Sequence, residues 1–139
     1  MSKLSIRNLT KIFGPHPEKA LGLLEQGLGK EEIHRRTSHA VGVDRASFDV
    51  EEGEIVVVRG LSGSGKSTLV RCLNRLIEPT AGTVTVDGRD VTSMPVDELR
   101  RLRQRSFGMV FQNFALFPHR TVLQNAAFGL EAMGVPRAE

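Results

Sequence analysis

Gly60-Leu61-Ser62-Gly63-Ser64-Gly65-Lys66-Ser67-Thr68 has the spacing of a phosphate-gripping loop: Gly, four residues, then Gly-Lys and a hydroxyl residue. Each residue type has a reason to be there. Glycines at 60, 63 and 65, with the small Ser62 and Ser64 between them, let the backbone curl so that successive N–H groups converge on phosphate oxygens. The positive end of a helix opening near Lys66 adds to that attraction. Lys66 brings an ammonium to the β and γ oxygens, the Ser67 hydroxyl suits Mg²⁺, and Thr68 is placed for the α-phosphate. A chance match to this pattern in a chain of this length is on the order of one in a few hundred, so the bland alternative of a helix-capping turn with an incidental lysine is set aside.

The flanks carry the same message. Ile55-Val56-Val57-Val58 is a continuous β-branched run, the pattern of a strand covered on both faces in a parallel sheet. After the loop, Ser67 to Ile77 reads as a helix with Leu69, Val70, Leu73 and Leu76 on one side, and Cys72 as a buried structural thiol. Further upstream, Leu4, Ile6, Leu9 and Ile12 predict a first strand ending near Gly14-Pro15, and Ala46, Phe48 and Val50 alternate as a half-buried strand. Between them, Ala20, Leu21, Leu24 and Leu28 recur at helical spacing and Lys30 to Arg36 forms a second, charged helix, so residues 16–40 read as a helical insertion. Downstream, Thr83–Val86 and Arg89–Val91 predict a hairpin about Asp87-Gly88. Ser93 is a candidate cap, with Pro95 in the first turn, for a helix through Arg105. Phe107 to Phe111 is a second buried-type strand, and Thr121 caps a helix from Val122 to Met133, stopped by Gly134 and Pro136. Strands alternating with helices predict an α/β fold.

Bulk properties narrow the setting. The 139 residues are 40% hydrophobic and 25% charged with a net charge of +3, the profile of one ordinary globular domain. A single cysteine, no apolar run of membrane-spanning length and no secretory leader point to a reducing, cytoplasmic compartment, with any tie to a membrane made through a partner. Arg100, Arg101, Arg103 and Arg105 share their helix with Asp97 and Glu98, which reads as a solvated charged face rather than a nucleic-acid surface. The four histidines show no ligand-like spacing, so no metal is expected beyond a nucleotide-bound Mg²⁺.

The stretch Gly108-Met109-Val110-Phe111-Gln112-Asn113-Phe114-Ala115-Leu116-Phe117-Pro118-His119 separates the possible loop-bearing families. A strand ending in Gln, followed by an apolar Pro-His loop, resembles the Q-loop of ABC ATPases. Thr121-Val122-Leu123-Gln124-Asn125 resembles the start of that family's helical subdomain, and Pro79-Thr80-Ala81-Gly82 with Val86-Asp87-Gly88 is typical of the span between the two motifs. Gly60-Leu61-Ser62, the run Arg71 to Pro79 and the insertion with Leu23-Leu24-Glu25-Gln26-Gly27 are similar to the ATP-binding subunits of glycine betaine/proline and choline importers.

That resemblance implies a partial P-loop NTPase core with an N-terminal β subdomain and a helical insertion at 16–40. The Walker A loop falls at 60–68, the Q-loop region at 108–119 and the start of the helical subdomain at 121–134. It implies ATP and Mg²⁺ as cofactors. Catalytic roles fall to Lys66 and Gln112, metal contact to Ser67 and Gln112, and nucleotide binding to Gly60, Ser62, Gly63, Ser64, Gly65, Lys66, Ser67 and Thr68. Phe13 either stacks on adenine, where the family often places an aromatic, or packs beneath the insertion. The implied partners are a membrane permease docked on the loop 113–121, a second ATPase subunit and, indirectly, a solute-binding protein, with the chain peripheral on the inner face of the cell membrane.

No Asp-Glu at the end of an apolar strand, no Leu-Ser-Gly-Gly signature and no switch histidine occur in residues 1–139. Asp90, Asp97 and Glu98 sit in hairpin or helix contexts, and His119 belongs to the Q-loop neighbourhood. The expectation is therefore a truncated ATP-binding subunit that does not hydrolyse ATP by itself. Two rival classes stay open here: a soluble P-loop kinase or GTPase, and a nucleotide-binding module without turnover.

Overall fold

The computed structural model describes residues 2–136, which form two compact units dividing between Met94 and Pro95. In the first unit, β1 (Leu4–Phe13), β2 (Ala40–Val50), β3 (Ala81–Val86) and the short β4 (Arg89–Asp90) make one antiparallel sheet in the order β2-β1-β3-β4. β1 is central, and its apolar residues Ile6, Leu9 and Ile12 are spaced by three where a flat strand needs two. Bulges absorb the difference. The β1–β2 register slips between Ile6 and Leu9 and again on either side of Lys11, and Asn8 sits in the left-handed region at φ 49°. The Ser47 hydroxyl accepts from the Asn8 N–H at 2.8 Å and the buried Thr10 hydroxyl accepts from the Arg45 N–H at 3.1 Å, so the bulge loses no hydrogen bond there. All three apolar side chains thereby reach the core.

The β3–β4 hairpin turns on Asp87 and Gly88, both at positive φ (49° and 74°), as an Asp-Gly turn requires. Just after it the structure departs from expectation. Ser93 does not cap a helix; its hydroxyl, with the hydroxyl and N–H of Thr92, donates to the Asp90 carboxylate. Partial burial pushes the Asp90 carboxyl up, but these hydrogen bonds together hold it below its ordinary range. The turn ends there, and the next helix begins after Pro95, which stands at its cap position.

Residues 16–40 hold two helices, α1 (Pro17–Glu25) and α2 (Lys30–Thr37), separated at Gly27 and Gly29. Ala20, Leu24 and Ile33 bury themselves with Ile12 of β1, which seats the pair on the end of the sheet. His39, also buried, places its ring nitrogens 2.5 Å from the Pro15 carbonyl and 2.9 Å from that of Thr37, tying the entry of the insertion to its exit.

α3 (Lys66–Leu73) is shorter than the predicted helix to Ile77. It stops because Arg75 turns left-handed (φ 53°), with its guanidinium bound to the Val91 carbonyl at 2.9 Å and the Met94 carbonyl at 2.8 Å. Leu69 and Cys72 form its buried edge, as expected of both, while Val70 and Leu76, expected on the apolar side, are exposed. Cys72 is fully buried, and burial pushes its thiol up, as befits a structural cysteine.

Neither expected parallel strand forms. Among the described residues, no strand pairs with Ile55–Val58 or Phe107–Phe111, and Ile55 is 88% and Val110 96% exposed. A parallel strand is stable only between neighbours and under covering helices, and the ladders present here are all antiparallel.

The second unit contains α4 (Val96–Ser106), α5 (Val122–Ala126) and α6 (Phe128–Ala132). Thr121 caps α5 with a full capping box: its hydroxyl accepts from the Gln124 N–H at 3.2 Å and the Gln124 side chain accepts from the Thr121 N–H at 2.9 Å. The single helix expected over Val122–Met133 breaks at Ala127, where the Asn125 side chain turns back to the carbonyls of Phe117, Arg120 and Thr121 and Gly129 weakens the following turn. Gly134 (φ 78°) ends the helical stretch. No helix of the described residues is long and apolar enough to cross a membrane.

Candidate phosphate-binding site

The loop between Gly60 and α3 is shaped by close backbone approaches. Gly63 is at φ 76° and Gly65 at φ 97°, a region open to glycine at no steric cost. At Gly65 the approach is absolute: a Cβ there would lie 1.9 Å from the Gly42 carbonyl oxygen of β2. At Gly60 a Cβ would lie 2.5 Å from the Ser64 hydroxyl. The loop is therefore pressed onto the sheet and onto itself, and the Leu69 N–H begins the α3 ladder on the Gly65 carbonyl at 2.8 Å. The first N–H groups of that helix have no partner within it.

Lys66 reaches back across the loop. Its ammonium donates to the carbonyls of Gly60 at 2.7 Å and Leu61 at 2.6 Å and lies 3.4 Å from the Ser64 hydroxyl. This arrangement fixes the curl and sets a positive charge beside the unpaired amides. Beside it opens a cleft of about 260 Å³ between β2 and the loop. Lys30, Arg59 and Lys66 line it against a single acid, Asp44, which is itself paired with Arg45 at 2.8 Å. The balance favours an anion.

Phe13 ends β1, 40% exposed, with the Lys11 ammonium 5.1 Å from its ring centroid. A Cβ on Gly42 would meet both the Phe13 ring at 2.8 Å and the Thr68 methyl at 3.2 Å. Phe13 thus stands beside the opening turn of α3, and it is not part of the buried cluster that seats the insertion. Ser62, Gly63 and Ser67 are exposed at the loop surface.

Gln112 belongs to the second unit, exposed in a turn after Phe111. In the following loop, Phe114 and Ala115 both adopt left-handed backbone (φ 59° and 52°), and Phe114 and Leu116 are 82% and 68% exposed. Phe117 points the other way. Its ring lies 4.9 Å from that of Phe128, with the Arg120 guanidinium 5.1 Å and 5.3 Å from the two ring centroids, and Arg120 is fixed by Glu131 at 2.7 Å. The apolar loop therefore divides into outward and packed residues.

Sequence reasoning missed Gly42, Lys30, Asp44 and Arg59 as neighbours of the loop. Gly42 carried a signal, a glycine inside a strand pattern where another backbone comes close; the charged residues carried none, because they arrive by long-range packing.

Comparison with known proteins adds weight beyond the loop. Residues 43–138 match the ABC transporter family. The chain is 56% identical over 137 residues to the glycine betaine/proline betaine transport system ATP-binding protein ProV of Escherichia coli (strain K12), a likeness covering 99% of this chain and 34% of that protein. It is 54% identical over 139 residues to the glycine betaine/carnitine transport ATP-binding protein GbuA of Listeria monocytogenes serotype 1/2a, covering 100% of this chain and 35% of that one. The chain spans about a third of the length of the curated relatives it matches. Among solved structures, the dimeric bacterial ABC transporter cassette MJ0796 superposes with a TM-score of 0.72 at 29% identity, over 96% of this chain and 48% of that one. A glycine loop pressed onto an antiparallel sheet, and a match running through it across most of the sequence, lead to one assignment: the chain belongs to the ABC transporter family.

Proposed function

We propose that this chain binds Mg-ATP on Gly60–Thr68 as part of the ATP-binding subunit of an ABC importer for glycine betaine, proline betaine or choline-type solutes. One observation carries the reading. Gly65 is locked against β2 in a conformation and a space that admit glycine alone, while Lys66 holds its charge at the same point. Such a cradle fits the polyphosphate of a nucleotide. Gly60, Ser62, Gly63, Ser64 and Gly65 supply the curved backbone, Lys66 faces the β and γ oxygens, and Thr68 faces the α-phosphate. Phe13, beside Thr68, offers its ring to the adenine. Ser67 would hold Mg²⁺, which when bound would supply charge neutralisation at the terminal phosphates.

The identities to ProV and GbuA support the importer class and its solute, and the cassette likeness supports a second ATPase subunit as partner. In this reading the subunit sits on the cytoplasmic face of the membrane, contacts a permease through the loop 113–121, and serves a solute-binding protein at one remove. It has no role with nucleic acid.

Lys66→Ala tests the site. Removing a charge-assisted contact of roughly 1.5–3 kcal/mol should weaken Mg-ATP binding about 10–150-fold. Titration calorimetry on folded wild type and variant reads this directly, and equal affinities would refute the site. Preference for GTP over ATP would favour a GTPase instead.

Docking is tested at Phe114 and Leu116, which are exposed, and not at Phe117, whose substitution would disturb its packing on Phe128. In the intact transporter, Phe114→Asp should cut co-purification with the permease and solute uptake at least tenfold while nucleotide affinity is unchanged. Normal assembly and uptake by that variant would remove the loop as the docking surface.

A further inference from the structure

The insertion reaches the phosphate cleft. α2 begins at Lys30, and Lys30 lines the same cleft as Ser64, Gly65 and Lys66. Nothing in the spacing of the phosphate loop calls for a cation from a segment so far upstream. Packing puts it there.

α2 is held at both ends. Ile33, three residues on from Lys30, is fully buried with Ile12, Ala20 and Leu24, and its N–H donates to the Gly29 carbonyl at 3.0 Å. At the far end, the Thr37 hydroxyl donates to the Ile33 carbonyl at 2.6 Å and His39 bridges Pro15 to Thr37. The helix cannot swing away without opening that core, so Lys30 is presented to the cleft by a fixed element, with only its own side-chain freedom to lose.

The charges are arranged for a bound anion. Glu32 is engaged by Arg35 and Arg36 on its own helix, and Asp44 is engaged by Arg45, so neither of these two acids is committed to Lys30. Among the described residues, Lys30 forms no ion pair. Lys66, by contrast, already bonds two loop carbonyls. A polyphosphate entering beside Ser64–Lys66 would meet Lys66 on one wall and Lys30 on another.

We propose that Lys30 is a second cationic contact for the polyphosphate of the bound nucleotide, which makes the helical insertion a working wall of the site. The proposal rests on the nucleotide-binding reading above. Lys30 is exposed, so its contribution is partly screened, and the expected effect is about three- to tenfold in affinity.

The test is a set of Mg-ATP titrations, by calorimetry at low and at high salt, on the longest natural chain carrying this segment. The proteins compared are wild type, Lys30→Ala, Lys30→Arg, Lys30→Glu and Lys66→Ala. Lys30→Ala should bind about three- to tenfold more weakly at low salt, Lys30→Glu more weakly still, and Lys30→Arg close to wild type. The loss should shrink at high salt, as screening of an exposed charge requires. Wild-type affinity in Lys30→Ala, alongside a clear loss in Lys66→Ala, would overturn the proposal and leave the nucleotide site standing. An equal loss in Lys30→Ala and Lys30→Arg would also overturn it, since the effect would then come from packing and not charge. Should Lys66→Ala itself bind like wild type, the nucleotide reading falls and this proposal with it.

Discussion

Gly65→Ala is expected to abolish measurable nucleotide binding and to destabilise the first unit by at least about 3 kcal/mol. Two costs combine. An alanine at φ 97° leaves every well-populated region for an L-residue, and its Cβ would lie 1.9 Å from the Gly42 carbonyl oxygen. That neighbour is β2 backbone, at the irregularity between the pairs Lys11–Val43 and Ile12–Val41, so no rotamer change relieves the overlap. The loop must lift from β2, and the Lys66 contacts to Gly60 and Leu61 go with it. Urea denaturation and calorimetry together read the result. A variant as stable as wild type and binding Mg-ATP normally would mean that the loop does not rest on β2.

Residues 1–139 alone are expected to bind nucleotide without steady turnover. Hydrolysis needs stabilisation of charge on the transferring phosphate and a group that orients or deprotonates the attacking water. On the proposed reading, Lys66, Ser67 and the loop amides would serve the first need. For the second, Asp44, the one acid lining the cleft, is paired with Arg45 at 2.8 Å. Phosphate release by the purified chain should match that of its Lys66→Ala variant, whereas a protein of the curated relatives' full length should turn over at rates orders of magnitude higher. Turnover by the 139-residue chain that disappears in Lys66→Ala would place a catalytic base within these residues and point to another class of phosphate-loop enzyme.

Local conformation was legible in the sequence where it was self-contained. The phosphate loop, the Asp87-Gly88 hairpin and the Thr121 cap each rest on a few adjacent residues whose conformational needs are written in their types. The helices of the insertion were equally plain, because Ala20 and Leu24 carry a helical period on their own. Non-local outcomes were not legible. Ser93 looked like a helix cap until Asp90 proved the stronger local acceptor. Leu76 looked like a helix-face residue, but the Arg75 guanidinium reaches Val91 and Met94 and ends α3 first. Ile55–Val58 and Phe107–Phe111 have the composition of strands buried on both faces, yet composition records only a demand for cover, and among the described residues no strand supplies it. The cleft suffered the same blindness: Lys30 and Gly42 approach the loop through folding of the insertion and β2, and neither position is implied by the spacing of the loop itself.

The central claim is that the curl from Gly60 to Thr68 grips the phosphates of a nucleotide. Backbone amide NMR of the 139-residue chain, titrated with Mg-ATP, tests it without any substitution. Amides of Ser62 to Thr68 should show the largest shifts, those of Gly42 and Phe13 should follow, and the β3–β4 hairpin should stay unmoved. Saturable binding with the loop amides unperturbed, or no binding at millimolar nucleotide, would contradict the account.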